Sequence, residues 1–224
     1  MNTPHPWPLV DLRIRTPRLE LRLPTDDDLL GLLDVVRAGV ADPDQTVFMV
    51  PWHQLPSPAL ERQFLQHCWK SRGSWNPSAW SLNLVLVENG RPIGQQEIAA
   101  RDFGIRKVVQ SGSWIGREFQ GRGLGTEARA AILALAFDGL GADFAESGYF
   151  AGNERSRRVS EKLGYERICE EILSIEGRQR REIRVRCSRA SWRRDVVPVT
   201  IENLEPCLPL FGVGELAPED WATF

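Results

Sequence analysis

The chain has 224 residues, 42% of them hydrophobic, enough for one sizeable core and short for two. Its 28 Lys and Arg against 30 Asp and Glu leave a net charge of −2, without the basic excess that accompanies nucleic-acid or membrane-surface partners. Cys68, Cys169, Cys187 and Cys207 form no CxxC pair and His5, His53 and His67 no ligand cluster, so neither a zinc site nor a disulfide framework has support.

Met1 to Arg13 lacks the apolar centre of a secretory signal, and the longest wholly apolar stretch, Ala130 to Phe137, is too short to span a bilayer. A cytoplasmic protein without membrane contact is expected. Leu19, Leu21 and Leu23 alternate with Glu20 and Arg22, the period of a half-buried strand. Thr25 then reads as the N-cap of a helix, with Asp26, Asp27 and Asp28 favouring its positive end and Leu29, Leu30, Leu33, Val36 and Val40 on its apolar face. Ala41 to Ser57, broken by prolines, reads as a long loop, and a second helix is expected over about Pro58 to Ser71.

Ser81–Glu88 and Pro92–Ala100 are strand-like runs joined by Asn89-Gly90, a dipeptide that accepts positive φ at both positions of a hairpin turn. A third strand over about Val108 to Gly116 runs into a glycine-rich turn and a helix from about Gly123 to Leu140, with Leu124, Ala128, Ile132 and Leu135 on its apolar face. Phe144–Phe150 is a further strand, Asn153 begins a short helix, and Gly164 stands where a left-handed cap would end it. A hairpin joins Glu166–Ser174 to Arg180–Ser188 across Glu176-Gly177, and the basic run Arg178 to Arg186 reads as a solvated strand edge. Val196–Ile201 is strand-like, and the tail from Val196 to Phe211 is expected to cover a sheet edge or reach a partner subunit in a homodimer. The order is mixed α and β, one domain over 1–224 with its core about 12–192 and an extension over 193–224.

Ser113-Trp-Ile-Gly-Arg-Glu-Phe-Gln-Gly-Arg-Gly-Leu-Gly-Thr126 carries the most information. A strand ends, Gly121, Gly123 and Gly125 form a tight turn, and a helix starts at once, so its first amides lack intrahelical partners and lie at the positive end of the dipole. Missing side chains admit a diphosphate. There is no Gly-Lys-Ser/Thr of an ATPase loop, and Thr126 with its hairpin context departs from the dinucleotide fingerprint. Alone, such a turn also reads as a plain strand-to-helix connection.

Gln120-x-x-Gly123-x-Gly125 after a strand resembles the coenzyme A signature of the GNAT superfamily of N-acetyltransferases. Asn153-x-x-Ser156 with Leu163-Gly164-Tyr165 resembles its second motif in the RimJ/RimL form, and Thr16-Pro-Arg-Leu-Glu-Leu-Arg22 is similar to that subgroup's opening strand. Asp42-Pro43, Pro51-Trp52, Ser111-Gly-Ser-Trp114 and Pro209-Leu-Phe-Gly212 look closest to an actinobacterial branch that includes succinyl-CoA transferases. The resemblance implies a GNAT fold, a mostly antiparallel twisted sheet with one splayed strand pair and flanking helices. It implies an acetyl-CoA or succinyl-CoA donor, no metal, and an amine acceptor: a protein N-terminus, a lysine or a small molecule.

By the same resemblance Ile115 and Gly116 offer backbone groups to the pantetheine, and Gln120, Gly121, Arg122, Gly123, Leu124, Gly125 and Thr126 cradle the diphosphate. Asn153 hydrogen-bonds the pantetheine and Ser156 faces the thioester sulfur. Ser160 stands where many relatives carry a tyrosine acid. Glu97 is the candidate base, with Asp102 second, and a solvent-facing strand carboxylate is the plainer reading of Glu97. A succinyl carboxylate needs a cation, for which Arg101, Arg106 and Lys107 are the candidates; Trp52 and His53 are candidates for the acceptor side, with core packing the plainer reading of Trp52 and simple exposure the alternative for His53. The alternative to an enzyme is an acyl-CoA-binding sensor without catalysis.

Overall fold

The computed structural model describes residues 5–42 and 45–214. Period-2 alternation starts before the Leu19 run: Leu12 and Ile14 are fully buried around Arg13, and Arg13–Arg15 forms β1. It pairs antiparallel with β2 (Glu20–Arg22), in which Leu21 is buried. Thr25 caps α1 (Asp26–Ala38) as expected: Thr25 Oγ1 accepts from the Asp28 N–H, and the Asp28 carboxylate accepts from the Thr25 N–H. The expected face needs two corrections: Val40 lies beyond the helix, which ends at Ala38, and Leu30 turns to solvent. Leu30 is 55% exposed, because at about 100° per residue it lies well round from the stripe of Leu29, Leu32, Leu33 and Val36 that meets the sheet.

After the loop comes α2 (Ala59–Gly73), and then β3 (Ala79–Glu88) and β4 (Arg91–Arg101) form the expected hairpin, with Asn89 at φ 50° and Gly90 at φ 77°. A single turn, α3 (Phe103–Arg106), leads into β5 (Val108–Ile115). The crossover helix α4 (Leu124–Ala134) ends in a π turn over Leu135–Gly139 and delivers the chain to β6 (Phe144–Phe150). Then follow α5 (Glu154–Leu163), the hairpin β7 (Glu166–Ile175) and β8 (Arg178–Ser188), and β9 (Thr200–Glu202).

The nine strands form one sheet in the order β7-β8-β6-β5-β4-β3-β2-β1-β9, antiparallel throughout except for the parallel β5–β6 pair that α4 connects. Alternate residues of β3 feed two cores. Leu82, Leu84 and Leu86 face the side covered by α4, while Val85 and Val87 face α1 and α2. Packing makes α4 more deeply set than a one-sided helix: every residue of Leu124–Ala134 except Gly125 is buried, Thr126, Glu127 and Arg129 included. β8 is also not the solvated edge expected from its arginines, since it lies between β7 and β6 and the edge is β7.

The tail completes both the sheet and the core. β9 pairs with β1 at the sheet edge, and a 3-10 turn over Glu205–Phe211 brings the fully buried Phe211 ring within 5.5 Å of Trp75 and 4.9 Å of Trp80, centroid to centroid. Both indoles are satisfied by the same segment: Trp75 Nε1 donates to the Leu210 carbonyl (2.9 Å) and Trp80 Nε1 to that of Phe211 (3.2 Å). Phe211→Ala is expected to lower unfolding stability by about 3–5 kcal/mol. Urea denaturation checks this, and a loss below about 1 kcal/mol would mean that the tail does not close the core.

Candidate active site

The glycine turn has its expected backbone. Gly121 (φ 77°) and Gly123 (φ 83°) occupy the left-handed region, and Gly123 is the N-cap of α4 without a side-chain cap. The Thr126 and Glu127 amides donate to the Gly123 carbonyl, whereas the five amides from Gly121 to Gly125 have no acceptor among the described residues. Successive free N–H groups at a helix start make an anion-binding concavity.

Side chains hold this turn from behind. Gln120 Nε2 donates to the carbonyls of Val40 (2.9 Å) and Ile115 (2.8 Å), and its Oε1 accepts from Arg155 (2.7 Å). Arg122 makes a two-point pair with Glu88 (2.9 and 2.7 Å), and Arg18 reaches both the Arg122 carbonyl (2.9 Å) and Glu127. Burial alone would raise the Glu127 carboxyl, but hydrogen bonds from Thr16 and Arg18 outweigh it and hold it below the usual value. Gly116 serves packing: a Cβ there would lie 2.4 Å from Val35 Cγ1, and its N–H is already donated to the Ile93 carbonyl (2.9 Å).

β5 and β6 pair only from Val108↔Phe144 to Gln110↔Glu146 and then diverge. Where the ladder would continue, Ser147 Oγ donates to the Ser111 carbonyl (2.9 Å) and Arg129 from α4 donates to Ser147 Oγ (2.8 Å) and Ser113 Oγ (3.3 Å). Since the Ser111 carbonyl faces the gap, strand alternation turns the backbone groups of Ser113 and Ile115 the same way. The Ile115 carbonyl is taken by Gln120, which leaves Ser113 and the Ile115 N–H to line an open edge.

Turn and gap open into one cleft of about 860 Å³. Of the residues singled out in the sequence, Glu97, Ile115, Gln120, Gly121, Gly123, Gly125, Thr126, Asn153 and Ser156 line it. Gly116, Arg122 and Leu124 do not: Leu124 is in the core, and the Arg122 side chain is turned to Glu88. Asn153 caps α5 with its Oδ1, accepting from the Ser156 N–H (3.1 Å), which leaves its amide NH₂ for a ligand. Ser160 is buried and its hydroxyl donates to the Ser156 carbonyl (3.1 Å), away from the cleft. Arg101, Asp102, Arg106 and Lys107 do not line the cleft either, being gathered around the α3 turn before the paired end of β5.

Glu97 is oriented across the strands. Its Oε1 accepts from Ser81 Oγ (2.6 Å), which in turn accepts from Asn83 Nδ2 (3.1 Å). Gly112, opposite it in β5, leaves room: a Cβ there would stand 3.6 Å from Oε2. Beside it the loop supplies an aromatic wall in which Trp52 stacks on Phe64 (5.6 Å) and meets Trp114 edge-on (5.9 Å). His53 packs behind against Phe48; burial pushes its imidazole down, with Glu176 opposing. Pro43 lies outside the described residues. Among the cleft residues that the sequence did not point to are Arg129 and Tyr149; burial pushes the Tyr149 phenol up, so that it stays protonated. Among the described residues no three His, Cys, Asp or Glu side chains group to hold a metal ion, and no helix is long and apolar enough to cross a membrane.

The family model described as "Acetyltransferase (GNAT) domain" matches residues 18–166. Solved structures with the same fold include a protein described as a ribosomal-protein-serine acetyltransferase from Vibrio cholerae (20% identity, 80% of this chain and 98% of that one, TM-score 0.61). Mycobacterium smegmatis RimJ in complex with CoA-disulfide is 18% identical over 83% of this chain and 90% of that one, with a TM-score of 0.61. RimL, a ribosomal L7/L12 alpha-N-protein acetyltransferase solved with coenzyme A, is 13% identical over 77% and 95%, with a TM-score of 0.62. At these identities the likeness is one of fold.

Two outcomes follow from the turn. Gly125 has ordinary space for a Cβ, 3.8 Å from Ile115 Cδ1 and Val159 Cγ2, and its φ is not left-handed. Gly125→Val should therefore fold normally yet weaken coenzyme A binding about tenfold or more by calorimetry, by crowding the amides; unchanged affinity would displace the site. The depressed Glu127 carboxyl stabilises the fold above the ordinary carboxyl range, a contribution lost as pH falls through its lowered value. Glu127→Gln should flatten the acid limb of stability against pH between about pH 5 and 3, measured by thermal melts.

Proposed function

The chain belongs to the GNAT acetyltransferase family, and on that premise we propose that it transfers an acyl group from a coenzyme A thioester to an amine by direct attack. The single observation that carries this reading is the run of five unbonded amides around the start of α4, whose three glycines, Gly121, Gly123 and Gly125, line the cleft that also holds the diverging strands. In this reading the amides take the diphosphate, the open edge of β5 at Ser113 and Ile115 takes the pantetheine amides, and Asn153 adds a donor from α5.

The amine nitrogen attacks the thioester carbon, the C–S bond breaks, and coenzyme A leaves as the thiolate while the amine gives up its proton. Much of the rate comes from holding the two reactants together. A thiol of pKa about 8.5 leaves near neutrality with little help, so the inward-bonded Ser160 is no obstacle and Ser156 serves as a hydrogen-bond donor to sulfur. Glu97, fixed by Ser81 on the sheet face that carries the aromatic wall, takes the proton from the amine.

The acceptor favoured by this site is an α-amine. Freeing one near pKa 7.7 at pH 7 costs about 1 kcal/mol, against roughly 4–5 for a lysine near 10.4, and one carboxylate suffices for the former. The alpha-N-protein activity in the name of RimL agrees with that choice. Thiol release from acyl-CoA with N-terminal peptides, lysine peptides and small amines tests the proposal; tight binding without turnover on any amine would make the protein a sensor instead. Glu97→Gln is expected to lower kcat by about 10²-fold with acyl-CoA affinity unchanged. Unaltered turnover from about pH 6 to 9 would remove Glu97 from the mechanism.

A further inference from the structure

On the α1–α2 face of the sheet the strand register lays side chains out in rows. Val85, Gln95 and Trp114 stand abreast in one row, and Asn83, Glu97 and Gly112 in the next. The first row is filled and tied: Gln95 Oε1 accepts from Trp114 Nε1 (3.2 Å), and Gln95 Nε2 donates to Cys68 Sγ (3.5 Å). In the second row the place at Gly112 is open. A Cβ there would meet only Glu97 Oε2, at 3.6 Å, and the backbone is not left-handed, so the conformation itself does not call for a glycine. The missing side chain leaves a pit in the cleft, with the Glu97 carboxylate on one side and the Trp114 indole on another.

Charge and polarity around this pit are sorted. Among the described residues, the cleft lining drawn from the 45–52 loop, α2 and the strands β3 to β5 holds one carboxylate, Glu97, and no Lys or Arg. The cations of the cleft come from α4, α5 and β8 instead. Next to Glu97 stand three rings: Phe64 lies 5.6 Å from Trp52 and 6.2 Å from Trp114, and both indoles are only half-buried. Met49 and Val50, 60% and 59% exposed, add an apolar rim to the same cleft. Apolar side chains left uncovered together at a cleft mark a surface for an apolar group, and a lone acid beside them suits a cation.

Resting on the reading of this cleft as an acyl-CoA site with Glu97 as base, we infer that the acceptor is a primary amine with a bulky apolar group beside its nitrogen-bearing carbon. The amine sits over Gly112 against Glu97, and its apolar group packs on Trp52 and Trp114. Glu97 and Trp114 are diagonal neighbours, about 7 Å apart at their Cβ atoms. The α-amine of a leucine or phenylalanine spans that distance with its own side chain. Alanine or serine would leave the wall bare, and a lysine ε-amine brings only a thin methylene chain. The nitrogen forms the amide with the acyl carbon as the C–S bond breaks, and the proton it loses to Glu97 ends on the coenzyme A thiol. An N-terminal residue of a peptide and a free arylalkylamine share this chemistry.

Thiol release from acetyl-CoA by the whole protein tests this with peptides that differ only in their first residue (Leu, Phe, Ala or Ser), an N-terminally blocked lysine peptide, and phenethylamine. The Leu and Phe peptides are expected to exceed the Ala and Ser ones in kcat/KM by about tenfold or more, chiefly through KM. Turnover of phenethylamine at a similar level would place recognition in the amine and its apolar group alone; turnover of the Leu and Phe peptides only would make a peptide N-terminus the source. Trp52→Ala should bring the four peptides within about threefold of one another, with coenzyme A affinity by calorimetry unchanged. Ala, Ser or lysine peptides that match or surpass the Leu and Phe ones would overturn the inference while leaving the acyl-CoA reading intact. A folded Trp52→Ala that slows all peptides alike would also overturn it, making the wall a packing feature. Should that variant fail to fold, Gly112→Val decides: it should raise KM for the Leu and Phe peptides about tenfold with coenzyme A affinity kept, and an unaltered KM would place the amine elsewhere. Coenzyme A binding with no thiol release on any amine would instead sink the parent reading, and this inference with it.

Discussion

The site depends on backbone donors kept free of internal partners at a point where the chain is otherwise tightly held. A helix start always leaves amides unpaired, but most proteins cap them with a side chain or with water. Here two glycines in the left-handed region bend the chain so that five amides stay unbonded on one side. On the other side Gln120, the Arg122–Glu88 pair and the Glu127–Arg18 contact fix the same turn to the segment just after α1, to β3 and to the entry of β2. Rigidity behind and open donors in front would give an anion a preformed site, with little ordering spent on binding.

The diverging strands extend this arrangement. A parallel sheet that zipped fully would leave no edge for a ligand. Ser147 and Arg129 end the β5–β6 ladder by putting side-chain donors where backbone ones would continue, and the opening that results is as much a product of α4 as of the strands. Because α4 is buried all round, its polar residues serve structure and site at once: Glu127 anchors the turn and Arg129 props the gap. The two sheet faces then offer different groups to the cleft, α4 on one side and the aromatic wall with Glu97 on the other.

Much of this was legible because the signals were local. Asn89-Gly90 set a hairpin, Thr25 and Asn153 capped their helices, and the glycine spacing placed the turn, each within a few residues of sequence. What escaped depends on contacts between distant residues. The strand Arg13–Arg15 is too short to stand out until β2 and β9 flank it, and the arginines of β8 look solvent-facing until β7 is seen to take the edge. Gln120 and Gly116 carried the right motif letters, yet their atoms are spent on bracing and packing, which spacing alone does not reveal. Arg129 was invisible for the same reason: an arginine three residues beyond Thr126 in a helix reads as exposed until its surroundings show that nothing neutralises it.

The account stands or falls on the five amides. Titration of ¹⁵N-labelled protein with coenzyme A, followed by amide chemical shifts, should move the resonances of Gly121, Arg122, Gly123, Leu124 and Gly125 more than any others. Binding that leaves those five unmoved while shifting amides elsewhere would contradict it.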